Sequence, residues 1–205
     1  MLDITAYIED FPSFAQRQYD HSPWLLLSNL PEILPGIIAS LSEDYQIENE
    51  IAIHKSAVIE QGVTLKGPLL IGENCFIGAN AYLRGPVFLG HGVKIGPGCE
   101  IKQSILLTGT AIAHLNYIGD SLIGRGVNFE AGSVAANHYN ERHNKEISVM
   151  LNYELVKTGC TKFGALVGDH ARIGANAVLS PGTLLERDAV VGRLQLVEQI
   201  KNTAS

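Results

Sequence analysis

"LLIGENCFIGANAYLRGPVFLGHGVKIGPGCEI", residues Leu69 to Ile101, repeats every six residues. Ile71, Ile77, Leu83, Leu89, Ile95 and Ile101 form one column, which continues upstream through Leu65 and Ile59 to Ile53 and downstream to Leu107. Four residues after each comes a second apolar and often small residue, among them Ala57, Val63, Cys75, Ala81, Val87, Val93, Cys99 and Ala111. A period of six contains the strand period of two and not the helical 3.6, so short strands joined by turns send the same side chain inward each time. Three hexads make one coil of a triangular prism, and successive coils stack as parallel strands about 4.8 Å apart. The pattern returns with Val167, Ile173, Leu179, Leu185 and Val191. An all-β parallel solenoid is therefore expected over residues 51–193, with 194–205 as a C-terminal tail.

The first 50 residues are built differently. They hold nine acids against one base, whereas residues 51–205 hold twelve acids against fourteen bases. Ser22 followed by Pro23, and Asn29 followed three residues on by Glu32, are helix-start signals. Two or three short helices are expected in this N-terminal α-helical cap, with Trp24, Leu25, Leu30, Ile33 and Leu34 covering the first coil, whose edge would otherwise lie open. No apolar run approaches the length that spans a bilayer, and the acidic start "MLDITAYIEDFP" lacks a basic export signal, so a cytoplasmic chain without a membrane partner is expected. Cys75, Cys99 and Cys160 have no C-x-x-C spacing and read as small buried residues. No basic stripe with interleaved aromatics points to nucleic acid.

The ladder is interrupted where a histidine appears, in "HLNYIGDSLIGRGVNFEAGSVAAN", residues His114 to Asn137. Leu107 to Ile118 is eleven residues and Ile118 to Ile123 is five. This slip is expected to lift His114 and Tyr117 out of the repeating column. The segment between Ala135 and Val167 is too long for a corner and predicts a projecting loop, about residues 137–163, with Arg142, Lys145, Lys157 and Lys162, and Arg172 on its flank. Arg84 and Lys102 stand 18 residues apart and stack on neighbouring coils. Two cations about 4.8 Å apart repel each other, and an anion such as a phosphate between them reverses the sign.

The stretch from His114 to Asn137 closely resembles the acetyltransferase domain of the bacterial bifunctional enzyme that makes UDP-N-acetylglucosamine, and its archaeal sugar-1-phosphate nucleotidylyltransferase relatives. The shared pattern is His114, Tyr117, "GD" at 119 and 120, Asn128, the corner "FEAG" and Asn137, with Arg84 in "YLRGP" and Lys102 in "EIKQS" upstream. Glu130 replaces the first glycine of the family's corner, and nothing in residues 1–50 resembles the family's nucleotidyltransferase domain. The resemblance implies a left-handed β-helix, assembly as a homotrimer, and acetyl-CoA-dependent N-acetylation of an amino sugar phosphate or nucleotide-linked amino sugar. It implies His114 as the general base, since an imidazole can accept the proton an attacking amine loses near neutral pH. Arg84, Lys102, Tyr117, Asn128 and Lys145 would bind the sugar phosphate, and Ala131, Asn137, Lys157 and Lys162 the CoA. Two other classes are also compatible with such a prism. One is a trimeric sugar-phosphate-binding scaffold without turnover. The other is a γ-type carbonic anhydrase, for which His138 and His143 have the pair spacing but lie in an irregular loop.

Overall fold

The computed structural model describes residues 2–11 and 22–199. Short parallel strands wind into stacked coils with three faces. The open face is a seven-stranded ladder of Val58–Ile59, Phe76–Ile77, Lys94–Ile95, Ala111–Ile112, Asn128–Phe129, Arg172–Ile173 and Val190–Val191. The other two faces share one sheet, because Tyr82–Leu89 and Glu100–Leu106 bend from one onto the other without a break. The first of these, the basic face, carries Thr64–Lys66, the start of both long strands, Tyr117–Gly119, Val134–Ala135, Val178–Leu179 and Leu196–Val197. The second, the helix face, carries Ile51–His54, Leu69–Ile71, the end of both long strands, Leu122–Ile123, Ala165–Val167 and Thr183–Leu185. Strand Leu196–Val197 extends the solenoid past residue 193, into what was expected to be tail. The aliphatic column from Ile71 to Ile101 and the small column through Cys75, Val87 and Cys99 fill the interior and are almost completely shielded from solvent.

The slip in the ladder lies elsewhere than its sequence suggests. Leu106, not Leu107, pairs with Leu89 and then with Ile123, and Leu107 packs outside the prism core. One residue is lost between Lys102 and Ser104 and a second between Gly119 and Ser121, at the same corner of successive coils. There Gln103 (φ 44°) and Asp120 (φ 45°) take the left-handed backbone conformation that turns a chain sharply. Two buried serines complete these short corners. The Ser121 amide donates to Ser104 Oγ at 3.1 Å, Ser121 Oγ donates to Gly119 O at 2.7 Å, and the Ala165 amide donates to Ser121 Oγ at 3.0 Å. Ile112 to Ile118 keeps the regular six, so His114 is not lifted out of the repeat.

Among the described residues one α-helix, α1 (Pro23–Ala39), and a short 3-10 helix, Ile4–Ala6, stand where two or three short helices were expected. Pro23 occupies its first position, where a missing N–H costs nothing, while the Ser22 side chain makes no capping bond. Asn29 lies inside the helix and donates to Leu25 O. Trp24, Leu26, Leu27, Leu30, Leu34 and Ile38 form its buried stripe, and Leu25 is 43% exposed. The helix lies along the flank of the prism and not over its end. The physical reason is the outward side of the helix face, where Leu70, Ile105, Leu122, Leu166 and Leu184 form an apolar strip crossing many coils. Burying each such side chain contributes about 1.5–3 kcal/mol. Leu2, Ile4, Tyr7, Ile8 and Phe11 join the same cluster. The first coil is flanked instead by Tyr45–Glu48, paired antiparallel with Ile51–His54.

The long insertion leaves after Asn137 and folds into an antiparallel hairpin, Ser148–Leu151 with Glu154–Lys157. It returns at Phe163, whose amide donates to Asn137 O at 3.0 Å and whose ring meets Trp24 edge-on at 5.8 Å between centroids. Gly164 is required at this return, because a Cβ there would collide with Gly119 O and Ser121 Oγ. Among the described residues no helix is long and apolar enough to cross a membrane.

Candidate functional site

Outward positions on the basic face form two adjacent columns. Thr64, Tyr82, Glu100 and Tyr117 stand in register in one, and Lys66, Arg84, Lys102 and Gly119 in the other. The basic column ends at Gly119, and the reason is Tyr117: a Cβ on Gly119 would lie 2.5 Å from the Tyr117 hydroxyl. Tyr117 is half-buried, and its phenol pKa is pushed up to about 12 by that burial and then by the nearby Asp120 and Glu100 carboxylates, so it stays neutral.

The expected pair of uncompensated cations is not what the fold builds. Arg84 Nη1 meets Glu100 Oε1 at 2.8 Å in an exposed pair, and Lys102 Nζ meets Asp120 Oδ2 at 2.7 Å in a pair that is 15% and 3% exposed. Repulsion along the column is relieved by carboxylates that stand 16 and 18 residues further along the chain. The same Asp120 oxygen accepts from Asn137 Nδ2, and Asn137 Oδ1 lies 3.1 Å from His138 Nδ1. Lys102, Asp120, Asn137 and His138 thus form a continuous polar chain at the corner between basic and helix faces. Lys162 lines the same cleft as Asp120, together with Ser28, Gln103 and Cys160. Cys160 is half-buried there, unlike the buried Cys75 and Cys99.

His114 occupies the opposite edge of the basic face, at the corner shared with the open face. Its backbone is fixed: its carbonyl accepts from Gly132 N at 2.9 Å and from Asn116 Nδ2 at 3.2 Å, while Asn116 Oδ1 takes the Ser133 amide at 2.7 Å. The His114 side chain is exposed, next to Leu115, which is 72% exposed. Ala131 stacks on the same edge one coil further on. His114 and Asp120 flank the strand Tyr117–Gly119 on either side, with left-handed corners at Leu115 (φ 57°) and Asp120 (φ 45°).

The fold therefore brings Arg84, Lys102, Tyr117 and Asn137 onto one face and its corner, with His114 and Ala131 along its other edge. Asn128 lies on the open face, in register with Ala111 and Arg172. Lys145 is exposed on the insertion, and Lys157, on its hairpin, pairs with Glu146 at 3.3 Å. Glu130 turns away along the open-face edge, where it accepts from Arg193 at 2.9 and 3.2 Å and from the Ala175 amide. The Arg193 hydrogen bond holds the Glu130 carboxyl below its usual pKa. Sequence reasoning missed Lys66, Tyr82 and Glu100, although the 18-residue period from Arg84 reaches Lys66. No three His, Cys, Asp or Glu side chains among the described residues are grouped as metal ligands.

Comparison with known proteins follows the same residues. Residues 65–150 match the model of the GMPPB C-terminal domain, and residues 165–192 that of the hexapeptide repeat of succinyl-transferase. The bifunctional protein GlmU of Methanococcus vannielii is 36% identical over 184 residues, covering 86% of this chain and 43% of that protein. A bifunctional sugar-1-phosphate nucleotidylyltransferase/acetyltransferase of Sulfurisphaera tokodaii is 40% identical over 84 residues, covering 40% of this chain and 20% of that one. The chain spans less than half the length of these curated relatives. A solved polysialic acid O-acetyltransferase overlaps 71% of this chain and 74% of its own at 18% identity and a TM-score of 0.39, a likeness too loose to bear on function.

Proposed function

We propose that this chain, which belongs to the hexapeptide-repeat proteins and forms their left-handed β-helix, is an acetyl-CoA-dependent N-acyltransferase acting on a phosphorylated amino sugar. The observation that carries the reading is the in-register column Lys66, Arg84 and Lys102 beside Tyr117, on the face whose edge holds the exposed His114. The bases hold the phosphate, with Arg84 able to offer a bidentate fork. Tyr117, neutral throughout the working pH range, can donate to a sugar oxygen. The amine of the bound sugar attacks the thioester carbonyl, forming the C–N bond and giving up a proton to His114. Collapse of the tetrahedral adduct breaks the C–S bond, and the departing CoA thiolate takes up that proton. Asn137 and Lys162 flank the corner where the pantetheine arm would lie, with Ala131 supplying backbone contact and Asn128 a contact from the open face.

A threefold homotrimer is part of this proposal, because the His114 edge lies open on a single chain and a second copy would close it. Light scattering should give three times the 22.1 kDa chain mass. The direct test is thiol release from acetyl-CoA across a panel of amino sugar phosphates, beside His114→Ala. Turnover in the parent chain that is lost in the variant supports the reading. CoA binding without turnover on any acceptor would favour the scaffold instead.

A further inference from the structure

The geometry points to an acceptor that carries two adjacent phosphates, a diphosphate-linked amino sugar, with Lys66 as the residue that selects it. The inference rests on the sugar-binding reading of the basic face.

Lys66, Arg84 and Lys102 occupy successive rungs, each in register with the next. Like charges directly opposite in neighbouring strands destabilise a sheet. Two of the three are relieved by carboxylates: Lys102 by the buried Asp120 and Arg84 by the exposed Glu100. Lys66 makes no carboxylate contact among the described residues. Its Nζ lies 5.2 Å from the centroid of Tyr82, and the Arg84 guanidinium lies 5.7 Å from the same ring. Lys66 is therefore the unrelieved rung of the column, with its cation head and that of Arg84 gathered at one aromatic side chain. A single phosphate can bridge two rungs about 4.8 Å apart, whereas the three rungs span about 10 Å. Two anion positions result, one between Lys102 and Arg84 and one between Arg84 and Lys66, the second one coil further along the prism from the coil that carries His114. A sugar diphosphate fits them in that order, with its inner phosphate nearer the reacting amine.

Calorimetric binding of inorganic phosphate and inorganic pyrophosphate to the intact chain tests this without turnover. The parent chain should bind pyrophosphate at least about fivefold to tenfold more tightly than phosphate, the scale of one added charge-assisted contact. Lys66→Gln should abolish that preference by weakening pyrophosphate binding while phosphate still binds at Arg84 and Lys102, Lys66→Arg should keep it, and Arg84→Gln should weaken both anions. Thermal melts would verify that Lys66→Gln remains folded, as expected for an exposed side chain. Equal binding of the two anions by the parent, or a preference that survives Lys66→Gln, would overturn the inference. Thiol release keeps the two proposals separable. Turnover with no pyrophosphate preference defeats only this one, and a Lys66-dependent preference with no turnover defeats only the transferase.

Discussion

The two edges of the basic face are made in opposite ways. At the His114 edge the hexad spacing never falters, the corners are held by backbone and Asn116 hydrogen bonds, and the side chains of His114 and Leu115 point into solvent. At the Asp120 edge two successive coils each lose a residue, and the corners are lined by Ser104, Asp120, Ser121 and Asn137, all buried. Regularity here serves presentation: a repeated corner holds the His114 side chain outward at a fixed height. Irregularity serves enclosure, since a shortened corner turns polar side chains inward, where each needs a partner.

This contrast sets how the two edges should respond to mutation. On the presenting edge, His114→Ala should lower acyl transfer by about 10²- to 10⁴-fold, the usual contribution of a general base, and leave the melting temperature unchanged. A large fall in melting temperature would break the contrast. On the enclosing edge, Asp120→Ala leaves Lys102 buried without a counter-charge and should cost about 3 kcal/mol of stability, read by urea titration. Ser121→Ala strands the buried Ala165 amide and should cost about 1–3 kcal/mol in the same assay. Between the edges, Arg84→Ala should weaken phosphate binding about tenfold and change stability by less than about 1 kcal/mol, because its pair with Glu100 is exposed.

The smallest expected effect concerns pH. The Tyr117 pKa is raised in the folded chain, from an ordinary value near 10 to about 12. A raised pKa means that the folded state holds the proton more firmly. The associated stability is complete below pH 10 and is lost as pH climbs towards 12. Tyr117→Phe should therefore show a shallower loss of stability across that interval in thermal melts.

The prism was legible because the interior admits only apolar side chains at every sixth residue, so burial imprints its period directly on Ile71 through Ile101. The position of the slip was not, because Leu106 and Leu107 are chemically equivalent and only pairing with Leu89 and Ile123 decides between them. The helix-covered flank left a signal that the hexad reading passed over. Wherever an outward residue adjoins an inward one and both are apolar, as at Leu69–Leu70, Ile105–Leu106 and Leu122–Ile123, the alternation expected of a half-exposed strand is broken, and the outward side chain needs cover of its own. The charge pairs Arg84 with Glu100 and Lys102 with Asp120 become visible in sequence only once the coil length is known. The resemblance gives Asn128 a role in sugar-phosphate binding together with Tyr117, and the corner at Glu130 to Ser133 sets the two on different faces.

The insertion between Asn137 and Phe163 departs and returns at points joined by a hydrogen bond, and Ser121 and Ala165 still meet as neighbours although 44 positions apart. The coil register is thus set without the detour, which adds cover instead: its Tyr139, Ile147 and Val149 are buried in the cluster outside the helix face. The coil stack behaves as a socket: the exposed turn of the hairpin at Asn152 and Tyr153 could be lengthened or exchanged between related chains without disturbing the register on either side. Acceptor range could then diversify through this one segment while the column of Lys66, Arg84 and Lys102 stays as it is.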